Sequence, residues 1–482
     1  MNMTKLSDEV GVGRLPDATN EVRRLLADLE SEVSILDADQ AGPRYCRDWD
    51  DSVGDPAPVV RPRTPEALAR VVGRLGAAGL RMVPQGGMTG LVAGGAPQRG
   101  EVVVSTELLD VIEGVDVFNG TMRVQAGVTL QAVQEEAQRH GLFYPVDLGS
   151  RGSCHMGGNI ATNAGGNRVL QYGMTRASVL GLEAVLADGT VLSRLGEVVK
   201  DNAGYDLKQL FIGSEGTLGV VTRAVLRLQP QPRERITAVL GCASLDQVLQ
   251  ALVLTRRLLG PALTSFEVMW RDFVAFVTGD LGLGRDPFAG AAPFQILIEV
   301  SCFDPDEERE RSRVEESLAQ VAETLGSEQV VVAQSLKDAE DLWRVRDSSG
   351  EVARAMGDYL SFDISIPTSQ LQAVLGRIEV ELERLSPGMR KVTYGHLGDG
   401  NLHLLLACPS ELAAAVEDRV YQLVTEAQGS LSAEHGIGMA KREALARWLP
   451  PAELAVMNRI KRALDPNGLL SRGRVLVSDF PE

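Results

Sequence analysis

The sequence predicts an α+β protein built from more than one domain. From about residue 55 short apolar runs alternate with helical patterns and glycine-rich loops, whereas beyond residue 232 the glycine-rich loops stop and long helices alternate with strands. A chain of 482 residues is long enough for about three domains of ordinary size. We therefore expect an N-terminal helical segment, two α+β domains and a helical C-terminal segment, over residues 1–54, 55–231, 232–436 and 437–482.

Capping residues and glycines define the elements of the first domain. Thr64 is expected to cap a helix that runs through Glu66–Gly76. Thr129 is expected to cap a second helix, which ends near His140 before a left-handed stop at Gly141. Strands are expected over Leu80–Pro84, Glu101–Ser105 and Thr121–Val128.

The second domain shows longer elements with few glycines between them. Helices and strands are expected to alternate over Leu245–Leu259, Pro293–Cys302, Asp306–Gly326, Asp338–Gly357, Tyr359–Pro367 and Ser369–Leu385.

Composition excludes several classes of protein. The 65 acidic residues outnumber the 48 basic ones and give a net charge of −17, which disfavours a nucleic-acid partner. No run approaches 18 uninterrupted apolar residues, so no transmembrane segment is expected. Five isolated cysteines without CxxC spacing argue against a disulfide framework, a zinc ribbon or an iron–sulfur cluster. We expect a cytoplasmic protein in a reducing compartment.

Three glycine-rich segments carry the strongest signal in the first domain. They lie at residues 84–90 (PQGGMTG), 149–166 and 213–219. The first suits a turn whose N–H groups approach a pyrophosphate, although a surface turn is the simpler interpretation of that segment alone. The second contains six glycines and is not expected to form the interior of a helix or strand. Neither a Walker lysine nor a GxGxxG motif at a strand–helix junction accompanies them.

Taken together, the segments GGMTGL, NIATNAGG and GSEGTLGVVT resemble the cofactor loops of vanillyl-alcohol-oxidase-type flavoproteins. From about residue 55 to 476 the chain is similar to the D-lactate and D-2-hydroxyglutarate dehydrogenase branch of that family. The resemblance implies a FAD-binding domain over 55–231 and an α+β, ferredoxin-like substrate domain after it. Many oxidases of this fold attach FAD through a His or Cys of the first loop. Met88 and Thr89 stand there in this chain, so FAD is expected to be bound non-covalently.

The resemblance places FAD against all three glycine-rich segments. The expected contacts are Pro84, Gly86, Gly87, Met88, Thr89, Gly90, Leu91, Gly149, Ser150, Gly157, Asn159, Thr162, Asn163, Gly165, Gly166, Glu215, Gly216, Gly219 and Val220. His155 also lies in the second segment, where we expect a structural or flavin-contacting role.

Three of the five histidines lie near the C-terminal end of the chain. The sequence VTYGHLGDGNLHLLLA predicts a hairpin with a two-residue type I′ turn at Asp399–Gly400, as the earlier pair Asp188–Gly189 does in the first domain. In that register His396 stands opposite His403 with Cβ atoms about 5 Å apart. Two such imidazoles suit one divalent ion. A histidine pair without metal is the alternative that the hairpin alone leaves open.

The sequence SAEHGIG adds the adjacent residues Glu434 and His435. In extended backbone their side chains point to opposite sides, so one can bind a metal while the other faces a substrate. The resemblance implies His396, His403 and Glu434 as metal ligands and His435 as the catalytic base. Such a donor set suits zinc first, with manganese or iron as alternatives.

This constellation suits the oxidation of a D-2-hydroxy acid. A divalent ion that chelates the carboxylate and the hydroxyl would orient the acid, and a neutral imidazole at His435 could take the hydroxyl proton. Hydride would pass to flavin N5 and leave a 2-oxo acid. Arg346 is the candidate clamp for the carboxylate, with a surface helix arginine as the alternative. Asn401 is expected to hydrogen-bond the substrate or a ligand.

Two positions depart from the family pattern. Members that act on D-2-hydroxyglutarate carry a threonine four residues after the substrate arginine and a lysine on the following strand. Gly350 and Ser361 stand at those positions here. The loss of two groups suited to a distal carboxylate favours a D-lactate-like or larger monocarboxylic acid, with D-2-hydroxyglutarate as the alternative.

Two other functions are open at this point, a metal-free flavin oxidase and a flavin-binding subunit without turnover. The paired histidines and Glu434 argue against the first, and a retained base at His435 argues against the second. Reduced FAD would need a separate acceptor, such as an electron-transfer flavoprotein, a quinone or a cytochrome. A homodimer is compatible with the sequence.

Overall fold

The computed structural model of the protein describes residues 18–49 and 52–477. The chain folds into two compact units. The glycine-loop unit holds the described residues of Asn2–Gly165, Met174–Pro230 and Glu434–Glu482, and the seven-stranded unit holds Gly166–Gly173 and Gln231–Ala433. Residues 1–17, 50 and 51 of the expected N-terminal helical segment lie outside the described residues.

The mixture of helices and strands confirms the α+β class. In chain order the strands are β1 Val33–Leu36, β2 Val59–Pro62, β3 Arg81–Gln85, β4 Glu101–Ser105, β5 Ile112–Asp116, β6 Thr121–Gln125, β7 Leu142–Phe143, β8 Val179–Val185, β9 Val191–Arg194, β10 Val220–Arg227, β11 Gln229–Pro230, β12 Glu234–Cys242, β13 Leu263–Trp270, β14 Phe294–Cys302, β15 Val330–Val332, β16 Leu360–Ser365, β17 Lys391–Gly395 and β18 Asn401–Leu406. The helices are α1 Ala18–Leu25, α2 Pro65–Ala77, α3 Leu130–Arg139, α4 Met156–Ala161, α5 Val169–Tyr172, α6 Thr175–Ser178, α7 Lys208–Phe211, α8 Leu245–Leu259, α9 Arg271–Ala275, α10 Glu307–Leu325, α11 Leu336–Asp347, α12 Ser349–Ala355, α13 Leu371–Leu385, α14 Ser410–Glu426, α15 Arg442–Trp448 and α16 Pro451–Leu464. None of the described helices is long and apolar enough to cross a membrane.

Two sheets form the frame of the glycine-loop unit. The first has the strand order β1-β2-β4-β3, with β4 parallel to both of its neighbours, and the second is antiparallel in the order β5-β6-β10-β8-β9. Thr64 caps α2 as predicted, since its hydroxyl accepts a hydrogen bond from the N–H of Ala67 at 3.1 Å. Thr129 caps α3 in the same way, through the N–H of Ala132.

The second glycine-rich segment corrects one prediction. Its residues Met156–Ala161 form the helix α4, although Gly157 and its neighbour are poor helix formers. A Cβ on Gly157 would lie only 2.7 Å from the Cβ of Ala126, at the end of β6. The helix therefore needs glycine for a close approach to the sheet, and this packing outweighs intrinsic helix propensity.

Both ends of the described chain pack into the glycine-loop unit. The expected N-terminal helical segment contains the strand β1, which pairs with β2. Near the other end, Leu470 forms a parallel bridge with Met82. Arg474 is fully buried there and donates two hydrogen bonds of 2.8 Å to the carboxylate of Glu101.

The seven-stranded unit is built on an antiparallel sheet in the order β15-β12-β14-β13-β17-β18-β16. Nearly every residue of β12, β13 and β14 is buried. Val239, Met269 and Leu297 of these strands form one core cluster with residues of the helices that pack on them. The single helix expected over Asp338–Gly357 is instead two helices, α11 and α12, which meet at Ser348. The hydroxyl of Ser348 donates to the carbonyl of Arg344 at 2.7 Å.

Both Asp-Gly pairs form hairpins, but neither forms the type I′ turn that we expected. Gly189 and Gly400 have φ of 86°, whereas Asp188 and Asp399 keep negative φ. In each hairpin the glycine N–H donates to the carbonyl three residues earlier, so each turn covers five residues between the strands. This arrangement matches a type I turn followed by a left-handed glycine, in which only the glycine has positive φ.

Candidate active site

The three glycine-rich segments meet in the glycine-loop unit. The N–H of Gly213 donates to the carbonyl of Ile160 at 3.0 Å, and the N–H of Glu215 donates to the carbonyl of Ala161 at 2.8 Å. The third segment is therefore hydrogen-bonded to the C-terminal end of α4. A Cβ on Gly86 would lie 3.6 Å from the Cα of Gly158, so the first segment packs against the N-terminal half of α4. The short helix α4 therefore joins all three predicted cofactor segments.

These segments offer backbone donors to a ligand. The four N–H groups from Gly87 to Gly90 form no hydrogen bond with any residue that the structure describes. Three residues that are not glycine have positive φ in the three segments, Met88 at 55°, Asn163 at 52° and Glu215 at 53°. Such turns aim successive N–H groups into a concave surface that suits a pyrophosphate. The residues present therefore fit the predicted FAD.

Glycines of the predicted FAD site fall into two groups. A Cβ on Gly90 or Gly149 would meet nothing within 4 Å, which leaves open space at these two positions. A Cβ on Gly87 would lie 1.9 Å from the carbonyl oxygen of Ser153, and one on Gly219 would lie 2.8 Å from the ring of Phe211. The first group leaves room for a ligand, and the second serves close packing.

His155 lies at the N-terminal boundary of α4. Its Nδ1 atom is buried without a hydrogen-bond partner among the described residues. Burial, with a smaller effect of the Arg44 charge, lowers the pKa of His155. The neutral ring suits contact with an aromatic cofactor better than ion pairing.

Glu215 has a role that the sequence did not indicate. Its carboxylate accepts hydrogen bonds from the N–H groups of Ile437 at 2.7 Å and Gly438 at 2.8 Å. Desolvation raises the pKa of Glu215, against the lowering effect of these two bonds. The side chain therefore holds the backbone directly after His435, and Gly436 supplies the turn with φ of 83°.

Glu434 and His435 lie in a bend, so the extended backbone that we expected is absent at this point. The preceding residues belong to the seven-stranded unit, where Ser430 bridges to Ser365 on β16. The N–H of Ala433 donates to the carbonyl of Asp363 at 3.1 Å. Glu434 is the next residue of the chain, one peptide unit of about 3.8 Å from Ala433.

His396 and His403 meet in the seven-stranded unit, in a register different from the predicted one. Tyr394 pairs with His403, which is two residues away from the predicted pairing of His396 with His403. A shift of two residues keeps both imidazoles on one side of the sheet. Their ring centroids lie 5.6 Å apart, and ligand nitrogens of the two rings lie within 4.8 Å of each other. Both side chains are buried, and they could bind one divalent ion.

Arg346 joins this pair and is not a surface arginine. The residue is 4% exposed, and its Nη2 atom lies 3.3 Å from Nε2 of His396. Its guanidinium also lies 4.9 Å from the ring centroid of Tyr394, which packs on His403. Burial opposes the charge of Arg346, but the charges of Glu267, Tyr394 and Asp347 and the hydrogen bond to Glu267 together raise its pKa. A permanent cation therefore lies beside the two imidazoles, where it could bind a carboxylate.

Sequence reasoning missed two buried acidic residues in this cluster. Glu267 accepts hydrogen bonds from Arg346 and His396, and an Asp363 oxygen lies 3.9 Å from Nδ1 of His403. Both are at most 1% exposed. Each interrupts an apolar strand, in the sequences LTSFEVMW and LSFDIS. An acidic residue inside an apolar strand is a usable signal, because carboxylates are rarely buried unless they are paired.

Asn401 begins β18, two residues before His403 and on the same face of the sheet. It is 3% exposed, and neither amide atom of its side chain has a hydrogen-bond partner among the described residues. Buried amides are normally satisfied, so this side chain has unused capacity for a ligand.

The two positions that depart from the family pattern differ in their surroundings. Ser361 pairs with Leu405 on β18, so it shares a sheet face with Asp363 and His403 and is exposed. Gly350 lies in α12, four residues after Arg346, and a Cβ there would meet nothing within 4 Å. A larger side chain would therefore fit at position 350.

Two family descriptions match the chain. The sequence model of the family described as "FAD binding domain" matches residues 56–194. The model of the family described as "FAD linked oxidases, C-terminal domain" matches residues 231–475.

Curated relatives match over most of their own length. The chain is 39% identical over 464 residues to a mitochondrial D-2-hydroxyglutarate dehydrogenase of Bos taurus, covering 94% of this chain and 83% of the relative. It is 35% identical over 475 residues to a D-2-hydroxyglutarate dehydrogenase of Stutzerimonas stutzeri, covering 96% and 99%.

Solved structures share the fold at low identity. A structure of p-cresol methylhydroxylase with substrate bound superposes with a TM-score of 0.73 at 17% identity, over 97% of this chain and 98% of that one. An alkyldihydroxyacetonephosphate synthase superposes with a TM-score of 0.70 at 15% identity, over 96% and 87%. These two likenesses concern the fold alone.

Proposed function

The chain belongs to the family of FAD-dependent D-2-hydroxyacid dehydrogenases, and from this premise we propose a metal-assisted oxidation of a D-2-hydroxy acid to its 2-oxo acid. The observation that carries the proposal is a buried cluster formed by His396 after the end of β17, His403 on β18 and Arg346 on α11. Two imidazoles beside a permanent cation would suit a substrate that brings a carboxylate and a hydroxyl group together.

The donor set fits a divalent ion. His396 and His403 would supply two imidazole nitrogens. The resemblance to the family adds a carboxylate oxygen from Glu434 as the third proposed ligand. The ion, once bound, would polarise the hydroxyl and carboxylate oxygens of the acid. The buried amide of Asn401 supports the assignment, since it would gain a partner from a ligand in the same place. We propose zinc, with manganese or iron as alternatives.

Each remaining residue has one role in the proposed reaction. Arg346 would bind the substrate carboxylate through its guanidinium and orient the acid. His435 would accept the hydroxyl proton on an imidazole nitrogen, and Glu215 would hold the backbone beside it through its two hydrogen bonds. FAD supplies the hydride acceptor when it is bound, and we propose that it is held non-covalently, because Met88 and Thr89 offer no attachment atom.

For the substrate we propose a D-lactate-like or larger monocarboxylic D-2-hydroxy acid. Ser361 faces the same side of the sheet as His403, so a lysine at that position could reach a distal carboxylate where a serine cannot. Gly350 likewise offers no hydroxyl group. The second candidate is D-2-hydroxyglutarate, which the names of the curated relatives favour.

Electrons would leave through a separate acceptor, for which an electron-transfer flavoprotein, a quinone or a cytochrome are candidates. A homodimer and a cytoplasmic location also stay predictions, since the names of the relatives include mitochondrial proteins.

The test is anaerobic bleaching of the bound flavin near 450 nm with matched D- and L-2-hydroxy acids, with and without a chelator. Rapid bleaching by D-acids alone, lost after chelation and restored by zinc, would support the proposal. Equal bleaching with and without chelation would remove the metal and leave a metal-free flavin enzyme. Faster bleaching by D-2-hydroxyglutarate than by any monocarboxylic acid would reverse the substrate assignment.

A further inference from the structure

We propose that Glu267 is a positioning residue that fixes the ligand nitrogen of His396 and the guanidinium of Arg346 at the same time; this inference rests on the proposed function. Glu267 lies on β13 and is 1% exposed. One carboxylate oxygen accepts a hydrogen bond from Nδ1 of His396 at 2.8 Å, and the other accepts one from Nε of Arg346 at 2.8 Å. A single side chain thus spans the candidate metal ligand and the candidate substrate clamp.

The carboxylate is placed as an acceptor for both neighbours. Arg346 is permanently cationic, and its Nε atom donates to one oxygen of Glu267 at 2.8 Å, so Glu267 faces this cation as a carboxylate. An ionised carboxylate has acceptor sites on both oxygens and no proton to donate. The two neighbours must therefore be the donors.

This arrangement determines the tautomer of His396. Nδ1 must carry a proton in order to donate to Glu267, so a neutral ring has its lone pair on Nε2. Nε2 is then the atom that could bind a metal. Histidine ligands in metal sites are commonly oriented by a carboxylate on the other ring nitrogen, and mutation of that carboxylate typically weakens metal binding about 10–100-fold.

The same carboxylate limits the rotation of Arg346. Its Nε atom bonds to Glu267, and this leaves the Nη2 atom 3.3 Å from Nε2 of His396. The ring of Tyr394 lies under the guanidinium at 4.9 Å and completes its support. The guanidinium of Arg346 is therefore held beside Nε2 of His396, the atom that would bind the metal. This position suits a substrate that must contact both the guanidinium and the metal.

The chain provides a matched control on the neighbouring strand. Glu299 on β14 is 5% exposed and pairs with Nε of Arg168 at 3.2 Å. Its carboxylate also accepts a hydrogen bond from the hydroxyl of Thr264. Neither partner belongs to the candidate site, so loss of this charge disturbs the same sheet without touching His396.

The experiment measures zinc binding by the full chain with FAD bound, after chelation and dialysis, by isothermal titration. We expect Glu267→Gln to raise the dissociation constant for zinc about 10–100-fold. Glu299→Gln should leave it within about twofold, although both variants lose a buried charge and should unfold at lower temperature. Equal zinc affinities of the wild type and Glu267→Gln would overturn the proposal.

A second measurement on the wild type avoids dependence on a variant that fails to fold. Five histidines keep the imidazole ¹⁵N–¹H spectrum of the zinc-free chain simple, and His396→Gln assigns the resonance. We expect the proton of His396 on Nδ1, and a proton on Nε2 alone would contradict the role of Glu267. Absence of stoichiometric zinc binding by the wild type would instead refute the metal in the proposed function, while the tautomer would still decide the role of Glu267.

Discussion

The glycine-loop unit and the seven-stranded unit differ in the atoms that they offer to a ligand. The glycine-loop unit offers backbone N–H groups, such as those from Gly87 to Gly90, and open space at Gly90 and Gly149. The seven-stranded unit offers buried side chains, with Arg346 and His396 held by Glu267.

This difference explains why the sequence indicated the glycine-rich segments as whole units but indicated only part of the second cluster and missed Glu267 and Asp363. Backbone donors need glycines and left-handed residues at neighbouring positions, so their signal is local. Buried charges need partners that come from distant strands and helices, and Glu267 is 129 residues from His396. A motif therefore describes the first site well, whereas the second depends on pairing over the whole sheet.

The largest expected effect concerns His435, which is an exception to this difference between the units. It lies in the glycine-loop unit, yet its proposed role as catalytic base depends on its side chain. We expect His435→Gln to lower kcat about 10²–10⁴-fold, since a general base would be lost. The measurement is steady-state turnover of a D-2-hydroxy acid with an artificial acceptor. The flavin spectrum should be unchanged, and a kcat within tenfold of the wild type would rule out His435 as the base.

The next prediction sharpens the role of backbone geometry. Gly87→Ala would place a Cβ 1.9 Å from a backbone oxygen, so we expect the free energy of unfolding to fall by about 3 kcal/mol and bound FAD to be lost. Denaturant unfolding and FAD content measure both effects.

Gly90→Ala is the matched control in the same loop, because its added Cβ meets no described atom within 4 Å. The free energy of unfolding should change by no more than about 0.5 kcal/mol, while FAD affinity should fall. If Gly90→Ala bound FAD as tightly as the wild type, the open space there would not be cofactor space.

A third prediction tests side-chain control in the seven-stranded unit. Gly350→Thr combined with Ser361→Lys should raise kcat/KM for D-2-hydroxyglutarate relative to D-lactate about 10–100-fold, since hydrogen bonds to a charged group contribute about 1.5–3 kcal/mol. Ser361→Met provides a long side chain without charge and should produce no such change. A preference of the wild type for D-2-hydroxyglutarate would show that other residues bind the distal carboxylate.

The smallest effect concerns Glu215, an acidic side chain that serves the backbone of the glycine-loop unit. Burial raises its pKa in the folded chain above the ordinary value of 4.5, which the unfolded chain keeps. At a pH between 4.5 and the raised pKa, the folded chain therefore binds more protons than the unfolded chain. The free energy of unfolding should therefore fall as pH rises through this window. Urea unfolding at several pH values should show a weaker decline for Glu215→Gln.

Glu66 offers a control of opposite sign for this pH experiment. Its hydrogen bond with Arg223 lowers its pKa, so its contribution to stability should be present above pH 4.5 and be lost as pH falls through the lowered value. Glu66→Gln should remove the fall in the free energy of unfolding at low pH. It should leave unchanged the fall above pH 4.5, which we assign to Glu215. An unchanged decline in Glu215→Gln would show that the Glu215 carboxylate does not control it.

The sequence by itself determined the features that depend on neighbouring residues. The caps at Thr64 and Thr129, the three glycine-rich segments and the presence of both hairpins follow from local backbone preferences and from periodicity. Family resemblance added FAD and the class of reaction, because the loop motifs are specific.

Only the tertiary structure decided how those features fit together. It made a helix of Met156–Ala161 because Ala126 leaves no room for a Cβ at Gly157, and it shifted the histidine hairpin by two residues because Gly400 alone takes positive φ. It also brought Glu267 to Arg346 and His396. Side-chain charge is visible in a sequence, but the partner that makes its burial stable is set by strand order and register, which local patterns do not contain.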